Sequence, residues 1–175
     1  AENPITIGDL FSMTAGFTYD FNSHGFQKAR ELTKGKMDTV ETIKCVAADP
    51  LSFEPGSHWQ YSICHDVLAA LVSVISGKKF RNYVKDNIFD LLEMNESVYH
   101  QTKKTLERTA QQYCFVSAEK AVQSIVESQM HGNASTGFFR NEGKQNQHIL
   151  GEEYDSGGAG IITTASDYAK LMAAL

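Results

Sequence analysis

The sequence predicts a mainly α fold with short β segments, and two apolar patterns in the middle of the chain carry this prediction. The first pattern places apolar residues at helical spacing ahead of Gly77, a residue type that commonly ends a helix: Val67, Leu68, Leu71, Val72 and Ile75. The second pattern repeats apolar residues with the same period from Lys79 to Leu92. Because so few residues separate the two runs, we expect a helical hairpin with a tight connection.

Shorter helices are predicted before this hairpin. Ile5 to Ala15 begins with Thr6 and Asp9 in the register of a capping box. Phe26 to Lys34 is weakly amphipathic, and Asp38 to Ala48 begins with a second capping pattern and ends before a proline. These segments add helices to a fold that is already helix-rich.

The second half of the chain is more varied. A short strand is predicted over Gln111 to Val116 and an amphipathic helix over Ala118 to Gln129. The polar composition of Gly132 to Ile149 predicts a long loop, with a turn near Asn141 to Gly143. Thr164 stands in capping register and opens a final helix.

Composition excludes several classes of function. The 175 residues carry a formal net charge of −5, which argues against nucleic acid as a partner and leaves small molecules or proteins. No apolar run is long enough to span a bilayer, the first residues do not resemble a signal peptide, and the compartment stays open. Three widely spaced cysteines and scattered histidines predict buried thiols, with no metal site and no cofactor.

The segment from Glu54 to Gly77 is the best candidate for chemistry. Pro55 and Gly56 predict a turn, after which Trp59 and Tyr61 alternate, so their side chains leave an extended backbone on the same side. Two interpretations stay open from the residues alone. The aromatic pair either seals the start of the following helix as part of the core, or presents a tyrosine on a rigid corner.

The chain resembles the serine β-lactamase and penicillin-binding-protein-like hydrolases, in particular the class C branch and its related esterases. The resemblance rests on four segments in order: ITIGDLFSMTAGFTYDF at 5–21, PGSHWQYS at 55–62 followed by LAALVSVISGKKF at 68–80, DNIFDLLEMNES at 86–97 and SGGAGIITTASDYAKLMAAL at 156–175. That family pairs an α/β domain with a helical subdomain. The resemblance implies that residues 1–175 form a single domain, a fragment of a β-lactamase-like domain without its nucleophile segment and its C-terminal strands.

The resemblance also assigns roles to individual residues. Tyr61 matches the tyrosine of the family's Tyr-x-Asn motif, which implies a general base or acid, and Ile63 stands where the asparagine is expected. Substrate binding is implied for a residue ahead of this motif, for its middle residue and for the glycine-rich segment: Trp59, Ser62, Ser156, Gly157 and Gly158. The same glycine-rich segment could equally serve close packing.

The family's other two motifs are not matched in place. Ser-x-x-Lys occurs at Ser76 and at Ser117, but both follow Tyr61, whereas the family's nucleophile precedes the tyrosine. The chain contains no Lys-Thr-Gly or His-x-Gly triplet. We therefore expect that neither serine is catalytic and that the isolated chain is inactive.

The leading hypothesis is a fragment of a serine hydrolase that acts through an acyl-enzyme on β-lactams, D-alanyl peptides or small esters. A non-catalytic binding or sensor module is one alternative, since Ile63 departs from the motif, and a helical protein-interaction domain is another. Under the leading hypothesis, the partner would be a small-molecule or peptide substrate in the full-length protein. Exposed surfaces near Tyr61 and Ser156 to Gly160 would also allow self-association.

Overall fold

The computed structural model describes residues 2–116, 138–146 and 148–175, and the chain divides into two compact units. The first unit comprises Ala1–His100 and Gln147–Leu175, and the second comprises Gln101–Asn146. The described helices of the first unit are α1 (Ile7–Ser12), α2 (His24–Leu32), α3 (Thr39–Val46), α4 (Cys64–Ser76), α5 (Phe80–Val84) and α7 (Ala165–Ala174). A π-helical turn, Lys85–Phe89, continues α5.

Helix starts follow the predicted caps. The Thr6 hydroxyl accepts a hydrogen bond from the Asp9 N–H, the Asp9 carboxylate accepts one from the Thr6 N–H, and α1 begins there. Asp38 caps α3 in the same way, since its carboxylate accepts the Glu41 N–H. The predicted hairpin is confirmed, because α4 ends at Gly77 in the left-handed region, at a φ of 68°, and α5 packs against α4.

The core of the first unit lies between α2, α3 and α4. Its main cluster of buried side chains is Phe26, Ala29, Met37, Cys45, Val46, Ile63 and Tyr154. The face of α4 that is buried differs from the predicted apolar stripe, because its fully buried residues are mostly small: Cys64, Asp66, Ala69 and Ala70. Ile75, predicted to be buried, is 76% exposed. Small side chains let other backbone segments approach the helix closely, which the periodicity of apolar residues does not reveal.

The second unit contains a helix and a two-stranded antiparallel sheet among its described residues. Helix α6 (Lys103–Arg108) has a capping box between Thr102 and Thr105 that the sequence analysis missed. The strands are β1 (Gln112–Val116) and β2 (Phe138–Gly143), and Phe115 lies opposite Phe139 with ring centroids 5.5 Å apart.

The structure confirms β1 but corrects the predicted loop over Gly132 to Ile149, because β2 occupies residues 138–143. The strand was hidden because four of its six residues are polar or glycine, and it is held by backbone pairing to β1 together with the contact of Phe139 with Phe115. The helix predicted over Ala118 to Gln129 lies outside the described residues. The expectation of a single domain over 1–175 stays a prediction.

None of the described helices is both long and apolar enough to cross a membrane. The described residues also contain no cluster of His, Cys, Asp and Glu that could hold a metal ion.

Candidate active site

Tyr61 lies on an extended segment that is fixed to the loop after α1. The N–H of Gly56 donates to the Thr14 carbonyl at 2.9 Å, and the N–H of Gln60 donates to the Met13 carbonyl at 3.0 Å. These bonds hold the segment at both ends. Tyr61 is 60% exposed and Trp59, on the same segment, is 67% exposed. The aromatic pair is therefore presented to solvent and does not seal the helix start.

Tyr19 supports the ring of Tyr61. The two ring centroids lie 5.1 Å apart, within the range of favourable aromatic pairs. Burial raises the pKa of Tyr19 far above its ordinary value, with contributions from the negative charge of Asp66 and from the neighbouring Tyr61 hydroxyl. Tyr19 consequently stays protonated at neutral pH and keeps a hydroxyl hydrogen to donate beside Tyr61.

The residues that follow Tyr61 turn into the interior. Ser62 is fully buried, with its hydroxyl oxygen 3.1 Å from the sulfur of Cys64. Ile63 is 1% exposed and belongs to the main core cluster. The structure places the Ser62 side chain beneath the Tyr61 surface, so Tyr61 and Trp59 are the exposed side chains of this predicted set. Ile63 fills the core at the position where the family motif has an amide.

The predicted glycine-rich segment packs directly against the start of α4. A Cβ atom added to Gly157 would lie 2.0 Å from the His65 carbonyl oxygen, so this position requires glycine. Gly158 is exposed, and a Cβ atom there would lie 3.5 Å from the Tyr19 hydroxyl. Ser156 is nearly buried, at 5% exposure. The structure therefore brings the Ser156 to Gly158 turn to Tyr19, and Tyr19 to Tyr61.

Asp66 joins this turn to α4, a role that the sequence analysis missed. The residue lies in the first turn of α4, where a carboxylate commonly faces solvent, but it is 2% exposed. The N–H of Gly157 donates to its Oδ1 at 3.0 Å, and the neighbouring Ser156 and Gly158 lower the pKa of the same carboxylate. Burial raises the pKa of Asp66, and the hydrogen bonds offset this only in part.

Asp155, next to the same turn, is a second buried carboxylate with different partners. Its Oδ1 lies 2.7 Å from Nε of Arg81 and 3.1 Å from Nε2 of His100. The backbone N–H of Arg81 donates to Oδ2 at 3.0 Å, and the N–H of Asp155 donates to the Thr39 hydroxyl at 2.7 Å. Asp155 thus links the segment before the turn to α3 and α5.

Ser76 lies at the far end of α4 from Tyr61. The helix has 13 residues, a length of roughly 20 Å at the standard rise per residue. The Ser76 hydroxyl accepts the N–H of Lys78 at 3.2 Å, as a helix-end side chain does. The length of α4 therefore separates Ser76 from Tyr61. Ser117 lies outside the described residues.

The chain matches known proteins over its whole length. The family model described as Beta-lactamase matches residues 1–175. A protein of Escherichia coli (strain K12), provisionally named D-alanyl-D-alanine carboxypeptidase, is 23% identical over 182 residues, which cover 98% of this chain and 38% of that protein. Esterase EstB of Burkholderia gladioli is 34% identical over 86 residues, which cover 45% of this chain and 21% of that enzyme.

The fold is also similar to solved structures. EstCE1, described as a hydrolase with promiscuous acyltransferase activity, matches with a TM-score of 0.66 at 20% sequence identity, covering 98% of this chain and 45% of that one. The chain belongs to the β-lactamase family, the serine hydrolases that include penicillin-binding-protein-like enzymes. It spans 38% of the length of the Escherichia coli relative.

Proposed function

We propose that this chain is part of a serine hydrolase that forms an acyl-enzyme with β-lactams, D-alanyl peptides or small esters, and that Tyr61 transfers the proton. The observation that carries the proposal is the exposed Tyr61 ring, which is held on a fixed segment at the start of α4 and supported by Tyr19. A general acid or base must reach the reacting group, and a phenol in this position meets that requirement.

Tyr61 needs further groups to act at neutral pH. An isolated phenol titrates near pH 10, and a nearby cation must stabilise the phenolate. Tyr19 supplies a neutral hydroxyl donor, but among the described residues no lysine or arginine pairs with Tyr61. We propose that a Ser-x-x-Lys pair from a longer gene product supplies both the nucleophile and the cation. The chain spans only 38% of the length of the Escherichia coli relative, and this supports the proposal that the remaining groups come from other parts of the protein.

Substrate binding is proposed on the surface around Tyr61. Trp59 offers an exposed apolar ring and Gly158 an exposed backbone, and both ends of this surface are rigidly held. Gly157 and Ser156 would support this surface from beneath. The backbone of Ser62 would support Tyr61. This arrangement suits an acyl group that lies against an aromatic ring.

Covalent labelling tests the proposal. The 175-residue chain and the longer gene product are each incubated with a fluorescent penicillin and an activated acyl ester, and the adduct is mapped by mass spectrometry. We expect an adduct on the longer protein alone, at a serine that precedes this chain. Labelling of Ser76 or Ser117 would overturn the proposed division of the site, and a longer protein without any adduct would favour a non-catalytic binding role.

A further inference from the structure

We infer that Asp66 is a positioning residue, whose buried carboxylate holds the Ser156 to Gly158 turn and, through that turn, the Tyr19 ring against Tyr61. The inference rests on the proposed function, because it assigns Asp66 a task in the Tyr61 site. Asp66 stands five positions after Tyr61, in the first turn of α4, with 2% of its surface exposed.

The hydrogen bond to the carboxylate comes from the centre of one turn. The Gly157 N–H donates to Oδ1 at 3.0 Å, and Ser156 and Gly158, on either side of it, lower the pKa of the same carboxylate. A buried acceptor that holds the central N–H of a turn fixes the path of that turn, because a buried N–H without a partner is costly.

The turn cannot move away from α4 without losing this acceptor, and it cannot move closer. Gly157 already lies against the His65 carbonyl, where even a Cβ atom would meet that oxygen at 2.0 Å. The turn is therefore fixed on both sides, by contact with α4 and by hydrogen bonds to Asp66.

Tyr19 connects the turn to Tyr61, because it contacts both of them. Its hydroxyl lies next to Gly158, and its ring lies 5.1 Å from the ring of Tyr61. Asp66 does not touch the exposed face of Tyr61, so its effect passes through the turn and Tyr19. The group that donates to the carboxylate is a neutral N–H, in contrast to the Arg81 guanidinium beside Asp155.

Nuclear magnetic resonance on the 175-residue chain tests the inference without requiring catalysis. In Asp66→Ala we expect loss of the nuclear Overhauser contact between the Tyr19 and Tyr61 rings, and exchange of the Gly157 amide hydrogen at least about tenfold faster. In Asp66→Asn the remaining amide oxygen still accepts the Gly157 N–H, so we expect the ring contact to be retained.

Asp167→Ala is the matched control, since Asp167 is also buried and accepts backbone and hydroxyl donors, but from Glu96 and Ser97. It should lower the melting temperature while leaving the Tyr19 to Tyr61 contact unchanged. An intact ring contact and unchanged Gly157 exchange in Asp66→Ala would overturn the inference. Should Asp66→Ala fail to fold, Asp66→Asn decides the matter: Gly157 protection and the ring contact should be retained together or lost together, and a change in one without the other overturns the inference.

An activity measurement separates this inference from the proposed function. In the longer protein, Asp66→Ala should lower kcat and Asp66→Asn should restore most of it. A Tyr61→Phe variant with full activity would remove the proposed function and leave the resonance result standing. An active protein in which Tyr61→Phe is inactive but Asp66→Ala has full kcat would remove only the role of Asp66.

Discussion

Asp66 and Asp155 are both buried carboxylates beside the same turn, but their partners differ. Asp155 lies against Arg81 and His100, whereas the Asp66 carboxylate accepts a backbone N–H, that of Gly157. An ion pair with a cation retains a charge in the interior, while neutral donors compensate a buried charge less completely. Asp155 joins α3 and α5, and Asp66 holds the surface on which chemistry is proposed.

The largest expected change in the free energy of unfolding concerns the ion pair of Asp155. Arg81→Ala leaves Asp155 buried without its arginine, and breaking a buried pair in this way destabilises a protein by about 3–5 kcal/mol. Urea unfolding followed by circular dichroism measures the change. Lys44→Ala is the control, because the pair of Lys44 with Glu41 is exposed to solvent and should contribute little to stability. Equal effects of the two variants would show that Asp155 does not depend on Arg81.

The next largest change in stability concerns the Ser156 to Gly158 turn that Asp66 holds. Gly157→Ala forces a Cβ atom against the His65 carbonyl, and overpacking of this kind costs about 1–3 kcal/mol. Thermal unfolding measures the loss. Gly8→Ala, within α1, is the control, since a Cβ atom there meets only the Thr6 hydroxyl at 3.5 Å and should be neutral or stabilising. A Gly157→Ala variant as stable as the wild type would mean that the turn is free to move.

The smallest effect is the pH dependence of stability due to Asp66. Its pKa is raised in the folded protein by burial, so its favourable contribution is complete below its ordinary pKa of 3.8 and is lost as pH rises through the folded value. The stability of Asp66→Asn relative to wild type should therefore increase as pH rises from this value. Urea unfolding at several pH values checks the sign, with Asp155→Asn for comparison. A relative decrease would place the folded pKa of Asp66 below its ordinary value.

Much of the fold follows from local signals in the sequence. Thr6, Asp38 and Gly77 mark helix ends because a cap acts within a few residues, and the structure confirms each of them. The burial of Asp66 depends on Gly157, which lies 91 positions further along the chain. A sequence pattern of a few residues cannot reveal a contact between positions so far apart. Strand β2 was missed for a related reason, since pairing with β1 and the contact of Phe139 with Phe115 stabilise a segment without an alternating apolar pattern.

The site could be predicted only in part. The tyrosine was found because a turn, an aromatic alternation and a helix surround it, and the structure presents Tyr61 to solvent as expected of a reacting group. No sequence motif singles out Tyr19. Its support of Tyr61 could not be read from the sequence, because it depends on two loops that meet in space.

The central claim is that Tyr61 transfers the proton in a serine hydrolase, and its most direct test is the kcat/KM of the longer protein for an activated ester. Tyr61→Phe removes only the hydroxyl and should lower kcat/KM by about 100-fold or more. Tyr83→Phe, which removes the hydroxyl of another partly exposed tyrosine on α5, should leave it unchanged. A Tyr61→Phe protein as active as Tyr83→Phe would contradict the claim.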